Sequence, residues 1–500
     1  MAHLQRPSVN GRRQTVNNNV CPPLALTYDD VLLVPCRSAV ASRRDVDTST
    51  RLTRQLRLNI PIVAANMDTV TEARMARAMA REGGIGVIHR FMPIAQEAAE
   101  VQRVKRPEEA IGGRQLHTIS PHRKVGDAIT LMGRHNVNSL LVVGEGDRLF
   151  GIITSRDVLF AEDTSQPIDR VMTGGEQLVT APVGTRLEEA RRILHEHRLE
   201  KLPLVDNTGH LRGLITARDV LRLTEHPNAA RDAQGRLLVG AAIGAVGDYM
   251  ARAEALVAAD VDILVVDIAH GHSEHALRAT REVKDAFPSV QLISGNVATA
   301  EGVRDLTEAG ADAIKVGVGP GAACSTRLVA GVGVPQLTAL FDCVAAANEL
   351  DIPIVADGGV RTSGDLTKAL AAGAETVMVG SLLAGTEESP GRTVLRNGVR
   401  YKVYRGMASE GAAESRRQRE SSEDVLDELA AAVVPEGVEA VVPYRGSLAE
   451  VMYQHVGGLR SGMSYLNARC LAELRSNARF VRMTEAGRAE SHPHDLTYVE

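Results

Sequence analysis

No stretch of the 500-residue chain is apolar for long enough to cross a membrane, and its opening, MAHLQRPSVNGRRQTVNNNV, has no apolar core of the kind a secretion signal needs. Basic charge is not in excess: 57 Lys and Arg stand against 62 Asp and Glu, a net −5, which argues against a general nucleic-acid binder and leaves small nucleotides as the nucleotide class to consider. Cysteine is sparse, odd in number and scattered, at positions 21, 36, 324, 343 and 470, so neither a disulfide framework nor a paired-cysteine metal site is expected. These absences imply a cytoplasmic protein without a nucleic-acid or membrane partner, with residues 1–25 as a disordered leader. What is present is 44% hydrophobic residues, 24% charged residues and 45 glycines, the balance of a turn-rich α/β protein with more than one structural unit.

Short apolar runs alternate with helical patterns. Candidate strands are Pro61–Met67, Gly84–Phe91, Leu237–Ile243, Ile263–Ile268, Gln291–Val297, Ala313–Gly317, Pro353–Asp357 and Thr376–Gly380. The segments Glu72–Arg81, Tyr249–Ala259 and Leu337–Leu350 have helical spacing, and no hairpin turn links the strands, so neighbours should be parallel. Eight such units favour a closed (β/α)8 TIM barrel over an open doubly wound sheet. A barrel gathers on one face the polar or glycine-rich strand ends at 66, 267, 294, 317, 357 and 380.

The second and third strands are too far apart for one crossover, and the stretch between them repeats. Gly151-Ile-Ile-Thr-Ser-Arg-Asp157 returns as Gly213-Leu-Ile-Thr-Ala-Arg-Asp219, 62 residues on (151 against 213). Each copy follows a proline-containing opening, a helical pattern and a short strand, Leu140–Val143 or Leu202–Val205. The repeat resembles a tandem pair of CBS domains, which implies a nucleotide such as ATP or GTP held through Thr154, Asp157, Thr216 and Asp219; the alternative is a degenerate pair that only packs subunits together. The expected division is therefore a barrel in two parts, 26–114 and 223–500, around a module at 115–222.

Gly317–Arg327 reads GVGPGAACSTR, a thiol in a loop too rich in glycine for a helix interior, directly after a buried strand. Glycine lets the backbone come close to a ligand, and Ser325 and Thr326 put hydroxyls beside the sulfur, which suits a nucleophile. A buried structural cysteine in a tight turn is the equal alternative on these residues alone. Asp357-Gly358-Gly359 and Gly380-Ser381, ending the last two strands, suit a ribose diol and a phosphate. His270, His272 and His275 match no common zinc spacing and are expected to face solvent or cap a helix.

GVGPGAACSTR resembles the cysteine loop of the IMP dehydrogenase and GMP reductase family, usually GxGPGSxCTTR, and the likeness runs from about Leu26 to Asp495. It departs from that pattern at Ala322, which lacks the usual phosphate-contacting serine hydroxyl, and at Ser325. The resemblance implies that Cys324 attacks C2 of a purine nucleotide while a nicotinamide cofactor exchanges hydride with that carbon. It implies a substrate site of Met67, Asn296, Asp357, Gly358, Gly359, Gly380, Ser381, Tyr404, Gly406, Met407, Ala408 and Glu436, and cofactor contacts from Asp267, Gly317, Val318 and Gly319. It also implies K⁺ held by carbonyls of Gly319, Gly321 and Cys324, with Glu490, Ser491 and His492 of the tail supplied by a neighbouring subunit, and a homo-tetramer or octamer.

The family's two reactions need different second steps. Dehydrogenases hydrolyse a thioimidate with a flap Arg-Tyr pair; reductases expel ammonia with a glutamate acting alongside the threonine two residues after the cysteine. No tyrosine occurs between Arg405 and Pro443, the charged stretch 415–424 stands where the flap belongs, and Glu410 replaces the usual dehydrogenase leucine; Asn66 is also reductase-like. The expectation is an NADPH-dependent GMP reductase that converts GMP to IMP and ammonia, with Cys324, Thr326 and Glu410 as catalytic residues. The alternatives are an IMP dehydrogenase whose flap base is Arg416, Arg417 or Arg419, or a catalytically silent nucleotide sensor.

Overall fold

The computed structural model describes residues 22–106, 116–135, 137–159, 161, 163–185, 187–217, 220, 226–419 and 434–493. The leader up to residue 21, Asp219, residues 420–424 of the charged stretch and the tail beyond Pro493 lie outside them.

Eight parallel strands close into a barrel: β1 (Ile62–Ala64), β2 (Ile85–Ile88), β3 (Gly240–Ile243), β4 (Ile263–Asp267), β5 (Gln291–Val297), β6 (Ala313–Val316), β7 (Ile354–Asp357) and β8 (Thr376–Val379), with β8 pairing β1 and β2 pairing β3. The reason is legible in the side chains. Strands rich in Val, Ile and Ala on both faces must be covered on both faces, which parallel strands with helical crossovers achieve. The inner face packs Val63, Val87, Ile263, Val265, Ile293, Ala313 and Val355 into one cluster. Each fully buried aliphatic side chain of this kind contributes on the order of 1.5–3 kcal/mol.

The outer ring comprises α1 (Ala73–Glu82), α2 (Ile94–Lys105), α3 (Tyr249–Ala258), α4 (Glu274–Ala286), α5 (Ala300–Glu308), α6 (Gln336–Glu349), α7 (Ser363–Ala371) and α8 (Leu448–Tyr465). Helix α1 buries Met75, Ala76, Met79 and Ala80 and stops at Gly83, whose left-handed backbone (φ 99°) lets its N–H reach the Ala80 carbonyl. The expected strands and helices are present, but the first three strands are much shorter than their apolar runs, ending at Ala64, Ile88 and Ile243 after three, four and four residues. Beyond Ala64 the chain turns, with Met67 N–H bonded to the Ala65 carbonyl at 2.8 Å, which presents Asn66, Met67 and Asp68 at the mouth.

Between α2 and β3 lie two similar sheets. The first joins Thr118–Ile119, Ser139–Val143, Leu149–Thr154 and Thr173–Gly174; the second joins Ala181–Pro182, Lys201–Val205 and Leu211–Thr216. In each, a short strand runs parallel to the first arm of a hairpin, and the hairpin register slips at the same place, Val142/Val143 in one and Leu204/Val205 in the other. Helices Val125–His135 and Leu187–Glu196 complete the copies, and Leu141, Leu211 and Leu214 form a cluster shared by both.

Candidate active site

The cysteine loop leaves the C-terminal end of β6, the face on which barrels of this kind carry their chemistry. Gly317 has φ 152°, and a Cβ there would lie 2.0 Å from the Asp357 carbonyl oxygen, so only glycine lets the loops after β6 and β7 cross. Cys324 is exposed, and its thiol donates to Thr326 Oγ1 at 3.2 Å. This removes the buried structural reading of that cysteine. The buried thiol is Cys343, pushed up to about 12 by burial and then by Asp342.

Two further segments clamp the loop. Ser325 N–H bonds the Glu436 carbonyl at 2.8 Å, Val438 N–H the Ala323 carbonyl at 3.0 Å, and Gly406 N–H the Val438 carbonyl at 3.0 Å. Gly406 must be glycine for this packing, since a Cβ would sit 2.6 Å from the Ala323 carbonyl. Glu436 N–H in turn bonds the Ala408 carbonyl at 3.1 Å. Cys324, Thr326, Gly406, Ala408 and Glu436 are thereby brought into one packed unit. Tyr404 donates to Met67 Sδ at 3.7 Å, and a Cβ on Gly380 would meet both side chains, so Met67, Gly380 and Tyr404 also converge. Burial raises the Tyr404 hydroxyl above its ordinary range, with Asp357 and Cys324 adding to the shift. Met407 Sδ accepts the Asp68 N–H at 3.4 Å. Gly358 and Gly359, at φ 97° and 80°, pass under Pro320 and beside the Tyr28 ring, and Ser381 opens the short helix Ser381–Ala384 after β8.

Below the loop the barrel is charged. Asp267 and Asp357 end β4 and β7, and between them stands Lys315, which the apolar reading of β6 passed over. Its ammonium lies 2.6 Å from both carboxylates and bonds the Asn296 side-chain oxygen. Asn296 donates to Asp357 at 2.9 Å and to the Gly317 carbonyl at 2.8 Å, and Asn66 donates to Asp267 at 2.6 Å. Burial alone would lift the Asp267 carboxyl, yet Lys315 and the Asn66 hydrogen bond hold it below the usual carboxylate value. Burial likewise opposes the Lys315 charge, and the two aspartates override it, raising that ammonium above its ordinary range. The signal available in the sequence was a lone lysine inside a strand otherwise apolar on both faces. Arg327 was also missed; it donates to the Val318 and Val334 carbonyls at 3.4 and 2.5 Å and fixes the backbone around Gly319.

Other expected residues do not meet. Glu410 is exposed at the start of the helix Glu410–Arg419 and makes no hydrogen bond to Thr326 among the described residues. The side chains of Arg416, Arg417 and Arg419 lie outside the description. The Gly321 carbonyl accepts the Cys324 N–H at 3.0 Å, and Glu490, Ser491 and His492 sit at the exposed end of the helix Glu485–Glu490 with no bond to the loop among the described residues. Carbonyl donors suit a monovalent cation, but one chain alone does not assemble the full set. The histidines after β4 face solvent, as expected, rather than cap α4, which Ser273 does: His270 and His275 are exposed, His275 bonds Arg278 at 3.1 Å, and the half-buried His272 pairs with Asp305 at 2.7 Å. In the inserted module, Thr154 donates through N–H and hydroxyl to Asp157 at 2.7 and 2.8 Å, while Thr216 is buried.

An exposed thiol, a charged strand-end layer and two glycine loops gathered at the mouth of a parallel barrel fit an enzyme of the nucleotide-binding barrel class. Residues 25–494 match the IMP dehydrogenase / GMP reductase domain, and the chain belongs to that family. It is 54% identical over 473 residues to inosine-5'-monophosphate dehydrogenase of Aquifex aeolicus (strain VF5), covering 94% of this chain and 95% of the relative. It is 51% identical over 471 residues to that of Nitrosopumilus maritimus (strain SCM1), covering 94% and 98%. Among solved structures it is similar to a cysteine-to-alanine variant of GMP reductase from Trypanosoma brucei in complex with guanosine 5'-monophosphate, with TM-score 0.83 and 45% identity over 95% of this chain and 99% of that one.

These comparisons correct the expectation of a GMP reductase. Curated relatives at 51–54% identity over 94% of the chain are IMP dehydrogenases. The geometry gives the physical reason: a reductase needs an acid in contact with the threonine beside the thiol, and the exposed Glu410 is not in such contact. A missing tyrosine in a flap is weak grounds for a different reaction.

Proposed function

We infer that this enzyme oxidises IMP to XMP with NAD⁺. The observation that carries the reading is the exposed Cys324 thiol, hydrogen-bonded to Thr326 at the barrel mouth, in a chain with dehydrogenase relatives at 51–54% identity. The sulfur attacks C2 of the hypoxanthine ring, and the hydrogen on C2 leaves with its electron pair. Bound beside it, an oxidised nicotinamide supplies the hydride acceptor. Water then replaces sulfur at C2, giving XMP and the free thiol, with two protons released to solvent and one retaken by the thiolate as the cycle closes.

The chain's own residues do the rest. Asp357 takes the substrate ribose, Gly358, Gly359, Gly380 and Ser381 take the phosphate, and Met67, Met407, Ala408 and Glu436 surround the base; Ala322 offers no hydroxyl, so backbone N–H groups carry more of the phosphate. Asp267 takes the cofactor ribose, with Gly317, Val318 and Gly319 beneath it. With no flap tyrosine, water activation falls to an arginine of the flap, Arg416, Arg417 or Arg419. K⁺ bound to the carbonyls of Gly319, Gly321 and Cys324 would steady the loop, completed by residues 490–492 of a neighbour in a homo-tetramer.

The test is a direct one. Purified protein with IMP and NAD⁺ should generate NADH and XMP in equal amounts. Ammonia release from GMP with a reduced cofactor, and no XMP, would overturn it. The two similar sheets between α2 and β3 support a nucleotide-binding regulatory module of the CBS type. Removing residues 115–222 should leave an active barrel that no longer responds to ATP or GTP, because the insert has its own core and joins the barrel through one loop.

A further inference from the structure

Lys315 is the least expected residue of the barrel. It alternates with Ala313 on the inward face of β6, one layer above the apolar plug that contains Val265, Ile293, Ala313 and Val355. The strand register explains how it fits. Lys315 lies level with Gly295 of β5, which lies level with Asp267 of β4, while Val355 opposite on β7 is followed two residues later by Asp357. Gly295 leaves the space that the lysine stem fills: a Cβ there would approach the Lys315 carbonyl oxygen to 2.5 Å and its Cβ to 2.7 Å.

The Lys315 side chain is 2% exposed, whereas the Asp267 and Asp357 side chains are 25% and 22% exposed. The cation therefore forms the floor and the carboxylates face the mouth. An ammonium has three N–H donors, and the three acceptors here are Asp267, Asp357 and Asn296. No donor is left to bind a ligand directly. Both carboxylates lie 2.6 Å from one nitrogen, so the bonded oxygens can be no further apart than twice that distance.

We propose that Lys315 is a positioning residue that couples the two nucleotide subsites, one ammonium fixing both Asp267 toward the cofactor ribose and Asp357 toward the substrate ribose. The proposal rests on the subsite reading given above. Without the cation, two carboxylates this close would share a proton, because like charges at short range in a shielded site cannot both ionise near neutrality. A shared proton turns one acceptor into a donor and weakens its grip on a ribose diol. The other charged or titratable groups facing this layer are Arg90 near Asp267, Tyr404 and Tyr28 near Asp357, and Cys324 near Tyr404. Only Lys315 touches both carboxylates among the described residues.

The experiment compares D267N, D357N, K315M and the double variant K315M/D267N, reading the Kd of IMP by calorimetry and the KM of NAD⁺. D267N should weaken the dinucleotide alone and D357N the monophosphate alone, each by about tenfold, the scale of one hydrogen bond to a charged group. K315M should weaken both nucleotides by about tenfold or more at pH 7, and the loss should shrink toward pH 9 as the shared proton leaves; the wild type should show no such recovery. The double variant keeps a single carboxylate, so its IMP affinity should return to within about threefold of D267N, and it carries the test if K315M does not fold. If D267N and D357N behave as stated but K315M affects only one nucleotide, or its loss is the same at pH 7 and pH 9, the coupling is wrong while the subsites stand. A double variant no better than K315M also overturns the coupling. If D267N and D357N fail to separate the two nucleotides, the subsite reading falls and the coupling falls with it.

Discussion

Asp68 and Arg405 form a two-pronged ion pair across the mouth of the barrel, with Arg405 Nε 3.0 and 3.2 Å from the two carboxylate oxygens and the side chains only 3% and 14% exposed. Arg405 also donates to the Gly411 carbonyl at 2.8 Å. The pair joins the turn after β1 to the segment that clamps the cysteine loop, holding Met67 and Met407 in one mutual arrangement.

Asp68→Asn is expected to loosen this joint. An arginine largely shielded from water and deprived of its carboxylate is costly, so stability in urea should fall by about 3 kcal/mol. The KM for IMP should rise by about tenfold, because Met67 and Met407 lose their mutual register. Denaturation curves and steady-state kinetics on the same preparation check both. Unchanged values for the two would make the pair passive.

Gly317→Ala and Gly359→Ala separate backbone crossing from backbone strain. The first places a Cβ 2.0 Å from a carbonyl oxygen, while the second has φ 80° but meets nothing nearer than the Tyr28 ring at 3.3 Å. Gly359→Ala should lose about 1 kcal/mol and, since its backbone belongs to the phosphate loop, raise the KM for IMP while leaving kcat largely intact. Gly317→Ala should be far less stable or inactive, since the β6 and β7 loops must part. Equal effects in thermal melts and turnover would show that the crossing does not shape the site.

The Asp267 carboxyl gives a pH prediction whose sign is fixed. Its folded pKa is lowered by Lys315 and Asn66 against the pull of burial, so its stabilising contribution is complete above the unfolded carboxylate value, about 4, and is lost as pH falls through the lower folded value. Lys315 is raised, so its contribution is complete below the unfolded lysine value, about 10, and is lost only as pH rises beyond that. The difference in unfolding free energy between wild type and Asp267→Asn should therefore be level from about pH 5 to 9 and shrink in acid. A difference that grows as pH falls would contradict the pairing.

The barrel was readable because its signals are local: strands apolar on both faces, helices of regular spacing, and polar residues where strands end. The repeat at 151 and 213 was readable for the same reason, and the shared register slip at Val142/Val143 and Leu204/Val205 is its structural counterpart. Cys324 stood out in its glycine loop, but on those residues alone a buried structural cysteine was an equal reading, and the resemblance of GVGPGAACSTR to the family's cysteine loop decided between them. Lys315 was not, since a lysine in an apolar strand acquires meaning only when β4, β5 and β7 bring Asp267, Asn296 and Asp357 to it across the closed sheet. The choice of reaction failed for a related reason. Glu410 was read from its position in a motif, whereas a proton relay depends on contact with Thr326, and the fold leaves that carboxylate exposed.

The covalent oxidation of IMP at Cys324 is tested most directly by acid-quenching the enzyme milliseconds after mixing with IMP and NAD⁺ and mapping the peptides by mass spectrometry. The account predicts a purine adduct on the peptide containing Cys324, formed with about one NADH per subunit, absent without NAD⁺ and absent in Cys324→Ala, which should still bind IMP. NADH produced without any adduct would contradict the covalent step, and an adduct that forms only from GMP, with release of ammonia, would contradict the dehydrogenase reaction.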